Sequence, residues 1–248
     1  MDNDRLKTRA ELKQEVKELY RGNWKTAIKL NLFPIVLGII GRIALIIIIS
    51  ILIALISYLV SRPDSGQFTS EMNNMSKTGS NSGGIIWNFV VGLINMSIMF
   101  TTIDWLRTKE QPQTILRDSF SVFSKRYFIG ALVIEILKRI FTFLWALLLI
   151  VPGIVKNYSY SQASYIFKDA VDANPNSDVN YFDCITRSRK LMNGHKWRLF
   201  ILQLSFLGWE ILNWIVLGLG SIWLIPYKNA TYAAFYKDLT AKLSSIEE

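Results

Sequence analysis

The stretch "VPGIVKNYSYSQASYIFKD", residues 151–169, closes an apolar run and decides how often the chain would cross a bilayer. Pro152 lacks a backbone donor and Gly153 permits a sharp bend, so the pair reads as a chain reversal. The segment beyond the pair, with Lys156, Asn157 and three tyrosines, is too polar to face lipid. The stretch has an echo in "LIPYKNATYAAFYKD", residues 224–238. Pro152, Lys156, Asn157 and Tyr160 parallel Pro226, Lys228, Asn229 and Tyr232, and both segments end on aromatic-Lys-Asp, Phe167-Lys168-Asp169 and Tyr236-Lys237-Asp238. Pro152 and Pro226 are therefore expected to mark U-turns near an outer face, with the returning arms packed inside a helical bundle.

The apolar residues, 51% of the chain with Trp and Tyr included, come in blocks such as "LIIIISILIALISYLV" (45–60), which carries no charge. A run of about 20 apolar residues spans hydrocarbon about 30 Å thick at about 1.5 Å rise per residue. The expected fold is an all-α polytopic membrane bundle. A single cysteine, Cys184, allows no internal disulfide, and with a single histidine, His195, no Cys/His metal cluster can form. No cofactor is expected. The net charge of +9 points to anionic inner-leaflet headgroups rather than nucleic acid, for which no module is present. Eight Lys/Arg and five Asp/Glu in the first 29 residues argue against a cleavable leader.

Three places share an internal pattern: an amphipathic stretch, an aromatic flanked by Lys or Arg, then an apolar run. The first is "LKQEVKELYRGNWKTAI", with Leu12, Val16, Leu19 and Tyr20 on one helical face before Gly22 and Trp24. The second is "TILRDSFSVFSKRYFIG", with Leu116, Phe120 and Phe123 on one face. The third is "FDCITRSRKLMNGHKWRLFIL", with Phe182, Ile185 and Met192 before Gly194 and Trp197. Leu-x-x-Gly recurs at Leu19–Gly22 and Leu191–Gly194. Each unit reads as an amphipathic helix plus a hairpin, a degenerate repeat, so three units give six spans.

The division begins with a cytoplasmic basic amphipathic helix (1–29), a first hairpin (30–104) with a Ser/Gly/Asn-rich external loop (61–84), and a cytoplasmic amphipathic segment (105–126). It continues with a second hairpin (127–168), a second cytoplasmic amphipathic segment (169–197), a third hairpin (198–237) and a cytoplasmic tail (238–248). Counted over 1–29, 105–126, 168–198 and 237–248, the cytoplasmic side holds 21 of the 28 Lys/Arg, and both termini are expected in the cytoplasm. The alternative, four longer spans with 153–197 outside, would export Arg187, Arg189, Lys190 and Lys196 against that bias.

Arg42, Glu135, Lys138, Arg139, Lys156, Asn157, Tyr160, Glu210, Lys228, Asn229 and Tyr232 are candidates for a polar interior. Self-neutralising pairs such as Glu135–Arg139 at i,i+4 are the structural reading of the same charges. Trp24, Lys25, Lys125, Arg126, His195, Lys196, Trp197 and Arg198 are candidate inner-leaflet contacts, with Trp24, Trp105 and Trp197 forming an aromatic belt. Cys184 reads as a small apolar residue, with acylation as the competing use. No Walker loop, GxSxG, HExxH or dinucleotide fingerprint occurs.

"LWALLLIVPGIVKNYSYSQASYIF", "LMNGHKWRLFILQLSFLGWEIL" and "IPYKNATYAAFY" together resemble the domain of unknown function 975 family of bacterial integral membrane proteins, with "LYRGNWKTAI" extending the likeness more loosely toward the N-terminus. The resemblance implies a multi-pass plasma-membrane protein of a Gram-positive type of bacterium. It supplies no catalytic residues. The expected function is a non-enzymatic scaffold or accessory subunit related to the envelope or to antimicrobial tolerance, with membrane lipids and a membrane protein as partners. The alternatives are a small transporter or channel with a polar path through the bundle and, more remotely, an enzyme acting on lipid.

Overall fold

The computed structural model describes residues 5–60, 82–174 and 179–247, and all of its regular structure is helical. Residues 61–81 of the expected external loop lie outside the described residues. The helices are α1 (Arg9–Tyr20), α2 (Trp24–Leu30), α3 (Leu32–Val60), α4 (Ser82–Thr108) and α5 (Ile115–Ser119). A 3-10 turn (Ser121–Phe123) leads into α6 (Phe128–Leu148), α7 (Ile150–Tyr160), α8 (Ala163–Ala173), α9 (Tyr181–Leu191), α10 (Lys196–Ile215) and α11 (Ser221–Glu247). Two stretches are long and apolar enough to cross a membrane, Leu32–Tyr58 in α3 and Phe89–Thr108 in α4.

Helix α1 begins at a capping box in which the Thr8 hydroxyl accepts from the Glu11 N–H and the Glu11 carboxylate accepts from the Thr8 N–H. Its Leu12, Val16, Leu19 and Tyr20 are all buried, the face expected from their spacing. Gly22 and Gly194, just beyond the amphipathic helices α1 and α9, both take a left-handed φ, +81° and +79°. A Cβ at either would meet no atom within 4 Å, so it is the backbone turn that calls for glycine there. The first and third units thus share one junction. The second departs from it: its amphipathic segment is only five residues of α5 plus the 3-10 turn, with no glycine.

The reversals differ from expectation at both prolines. In the second hairpin the chain turns at Leu149, whose extended φ/ψ of −160°/142° separates α6 from α7. Pro152 sits in the first turn of α7, where its missing N–H breaks no helical bond. Gly153 serves close packing: a Cβ there would lie 2.8 Å from Ala146 Cα across the hairpin. In the third hairpin the turn is at Leu217 and Gly218, both left-handed at φ 55° and 88°, as the Gly218-Leu219-Gly220 run allows. Pro226 lies inside α11 and marks no turn.

The returning arm of the second hairpin is interrupted between α7 and α8 at Ser161-Gln162. The buried Ser188 hydroxyl of α9 completes the break, accepting from the Gln162 N–H (3.2 Å) and donating to the Ser159 carbonyl (2.8 Å). Removing it leaves two buried backbone groups without that partner. Ser188→Ala is expected to destabilise the protein by about 1–3 kcal/mol, read as a lower thermal midpoint in detergent, whereas Ser50→Ala, on the exposed face of α3, leaves the midpoint unchanged.

The main core lies where α1, the C-terminal half of α4, α8, α9, the first half of α10 and the body of α11 meet. It includes Tyr20, Phe100, Trp105, Phe167, Phe206, Phe235 and Tyr236. Tyr165 and Tyr236 stack at 4.7 Å with planes 13° apart, joining the two arms that the sequence echo paired.

Candidate functional site

The aromatic-Lys-Asp endings act as two equivalent clasps. In α8, the buried Lys168 ammonium reaches Asp104 of α4 (2.6 Å) and Asp172 (2.5 Å), while Asp169 accepts from Arg107 (2.6 Å) and from the Tyr236 hydroxyl (2.6 Å). In α11, Lys237 reaches Glu15 of α1 (2.9 Å), and Asp238 accepts from Arg198 and from the Lys7 backbone N–H. Each Lys-Asp pair thus ties a returning arm to neighbouring elements. The repeated aromatic-Lys-Asp pattern was the legible signal, but the partners Asp104, Arg107, Glu15 and Lys7 were not.

The candidate polar residues separate into three groups. Glu135 is closed by Lys138 (3.1 Å) and Arg139 (3.1 Å), with Lys138 also donating to Ser164 Oγ and Arg139 lying over the Phe89 ring. Glu210 pairs with Lys228, and nearby Asn229 donates to Asn31 Oδ1 at 2.8 Å. Arg42 of α3 donates to Ser221 Oγ (2.7 Å) beside the turn of the third hairpin, so close that a Cβ on Gly218 would lie 2.3 Å from its Nη1. Lys156 stands apart, its ammonium 4.2 Å from the Trp145 ring centre, and Asn157 is exposed. Tyr160 belongs to the core, packed on Phe141, and the partly buried Tyr232 faces Phe206.

The candidate headgroup contacts also divide. Trp197 is 69% exposed, and Lys25, Lys125 and Arg126 are exposed, though Arg126 bonds Asp172 and the Val171 carbonyl. Trp105 corrects the belt, being buried against Tyr20 with ring centres 5.2 Å apart; Trp24 is half-buried on the same tyrosine. Arg198 is likewise turned inward onto Asp238 and over the Phe235 ring. His195 caps the start of α10, and burial together with nearby Arg198 and Lys242 lowers its pKa, favouring the neutral ring. Cys184 is buried, and burial pushes its thiol up to about 11, which leaves it a poor nucleophile and an inaccessible acyl acceptor.

Apolar exposure is heaviest along α3 and at the tips of the second and third hairpins. From Ile43 to Tyr58 every α3 side chain is exposed except the half-buried Leu55. The second hairpin presents Leu147, Leu148, Leu149 and Val151 at its tip, and the third presents Trp214, Ile215, Leu217 and Leu219. Such contiguous apolar surface marks an interaction site. Below the second tip lies a cleft of about 300 Å³ bordered by Lys156, Arg189, Lys190 and Lys196. A wider cleft, about 1100 Å³, opens between α8, α9 and α11, with Ile166, Leu191 and Tyr236 among its walls. Among the described residues no group of three or more His, Cys, Asp or Glu is placed to hold a metal ion.

A family model described as "Protein of unknown function (DUF975)" matches residues 1–156 and 147–243. No curated protein and no solved structure matches the chain.

The clasp at Glu15 predicts an acid response. Burial raises its pKa, but the bonds from Lys237 and Lys7 outweigh that and hold the carboxyl below its usual range. A carboxylate whose folded pKa is depressed contributes stability above its unfolded pKa, about 4.3, and loses it as pH falls through the folded value. Thermal unfolding measured against pH is therefore expected to give Glu15→Gln a lower midpoint at neutral pH and a shallower acid limb than wild type. Parallel acid limbs would remove Glu15 from the clasp.

Proposed function

The chain belongs to the DUF975 family, and from that premise we propose that it is a non-enzymatic plasma-membrane protein that works by association, as a scaffold or accessory subunit. Helices α3 and α4 are the two elements that length and composition suit to crossing. The charge-free stretch 43–60 of α3 is about 27 Å long at the helical rise and lies outside the core, whereas 82–103 of α4 is about 33 Å long with its half from Leu93 onward packed in the core. The charge bias of the flanking segments sets both termini in the cytoplasm. The second and third hairpins enter the same membrane from the cytoplasmic side without traversing it, in place of the six full crossings that the pattern of apolar runs suggests.

The observation that carries this reading is the length of each hairpin above its nearest charge. From the bend at Leu149 to Lys156 is seven residues, and from the bend at Leu217 back to Glu210 of the Glu210–Lys228 pair is seven, about 10 Å at the helical rise in each case. Hydrocarbon is about 30 Å thick, and a charge inside it costs several kcal/mol. A full traverse would drag Lys156 and the Glu210–Lys228 pair inside; a shallow entry leaves them at the headgroups. The body below the tips, with its clasps and its wide cleft, then faces the cytoplasm, where a partner can reach it.

Transport fits less well, because Glu135, Glu210 and Arg42 are each engaged by a neighbour rather than facing a common passage. Proteoliposomes are expected to show no ion flux above protein-free vesicles. Flux abolished by Glu210→Gln or Lys228→Met would reinstate the channel.

Topology is tested with single cysteines in a Cys184→Ser background. Ser70→Cys is expected to react with an impermeant maleimide on intact cells, and Ser177→Cys only after permeabilisation. Labelling of Ser177→Cys from outside contradicts the cytoplasmic placement of the body.

A further inference from the structure

We propose that the cleft between α7, α9 and the start of α10 binds the phosphate of an anionic lipid headgroup, a step that rests on the membrane reading above. Lys156 contributes from α7, Arg189 and Lys190 from α9, and Lys196 from the first turn of α10. Among the described residues no carboxylate pairs with any of the four, whereas neighbouring Arg187 is met by Asp183 at 3.5 Å. The cations also repel one another, since Arg189 and Lys196 both act on Lys156. A fold does not gather four like charges around one cleft for stability; an anion placed among them removes the repulsion. Ser159, Thr186 and Asn193 line the same cleft and add neutral hydrogen-bonding groups.

The location selects a lipid over a soluble phosphate. The cleft opens directly below the tip of the second hairpin, where Val151, Ile154 and Val155 are exposed within five residues of Lys156. Lys156 itself lies over Trp145, an amphipathic ring of the type that settles at headgroup level. Exposed Trp197 flanks Lys196 on the next helix. An anionic phospholipid would place its acyl chains along the apolar tip and its phosphate among the four cations. Inorganic phosphate would gain only the second of these contacts.

The test uses the full chain in nanodiscs of phosphatidylglycerol and phosphatidylcholine, with retained lipid counted by native mass spectrometry. Wild type is expected to retain phosphatidylglycerol over phosphatidylcholine. Arg189→Gln/Lys196→Gln is expected to lose that preference by about fivefold per cation removed, while Arg117→Gln, an exposed cation elsewhere, keeps it. Thermal midpoints of the variants, equal to wild type, show that the fold is intact; if the double variant unfolds, Lys190→Gln alone is expected to give the single-charge loss. Unchanged phosphatidylglycerol retention in folded variants overturns the site while leaving membrane embedding intact. Extraction of the wild-type chain from membranes by alkaline carbonate overturns the embedding itself. Displacement of phosphatidylglycerol by inorganic phosphate at equal concentration, or free phosphate binding of equal strength, overturns the lipid assignment.

Discussion

If the second and third hairpins enter lipid as proposed, Lys156 and the Glu210–Lys228 pair set how far each can go. A charged side chain in hydrocarbon costs several kcal/mol unless it snorkels, pairs or finds water, and Glu210 and Lys228 are about a third exposed even while paired. Burying them fully would strip away water that the pair still contacts, a loss that mutual attraction often fails to offset. The second tip carries no charge and the third is met only by Arg42, which donates to Ser221, so the exposed leucines, isoleucines and tryptophans of both tips gain by leaving water. Under the proposed embedding the two forces give each hairpin a preferred depth, with an apolar cap about 10 Å tall under one leaflet's headgroups. Arg42, fastened to Ser221 beside Gly218, ties α3 to the tip of the third hairpin, and α3 runs on from there for a charge-free length of 18 residues.

Below that level the chain is organised as a soluble helical body would be. Its core is aromatic, and the Lys-Asp clasps pin α8 and α11 to α4, α1 and each other. Lys168 is 4% exposed, yet both of its carboxylate partners keep contact with water, so the clasp avoids the full desolvation penalty of a closed ion pair. The clasps hold the arms to one another and to α1 and α4, and the proposed task of the tips is to carry the arms into lipid.

Much of this was legible in the chain. The face of α1, the Glu135–Lys138–Arg139 cluster and the kinship of the two returning arms all come from spacing that one helix or one repeat fixes locally. The glycines after α1 and α9 were legible as a pair, since a left-handed backbone leaves a residue-type signature. The turns were less so, because a proline in a first helical turn and a proline at a reversal leave the same mark in sequence. Pro152 is the former, and Leu149, with nothing in its identity to signal it, makes the bend. Trp105 and Arg198 were misplaced for a related reason: flanking Lys or Arg suggests an interface, and only long-range packing against Tyr20 or Asp238 turns them inward. The basic cleft was hidden because its cations come from three helices that the sequence had assigned to different environments.

Depth is the quantity that tests the account most directly. Spin labels at Leu148→Cys and Val216→Cys, in a Cys184→Ser background reconstituted into bilayers, can be located by power saturation with oxygen and a polar nickel chelate. Both labels are predicted to lie within the hydrocarbon of the cytoplasmic leaflet, short of the bilayer centre, and to resist impermeant thiol reagents from outside. Labels found at the far headgroups, or modified from the outer side, would mean that the hairpins traverse the membrane and that Lys156, Glu210 and Lys228 are carried within it.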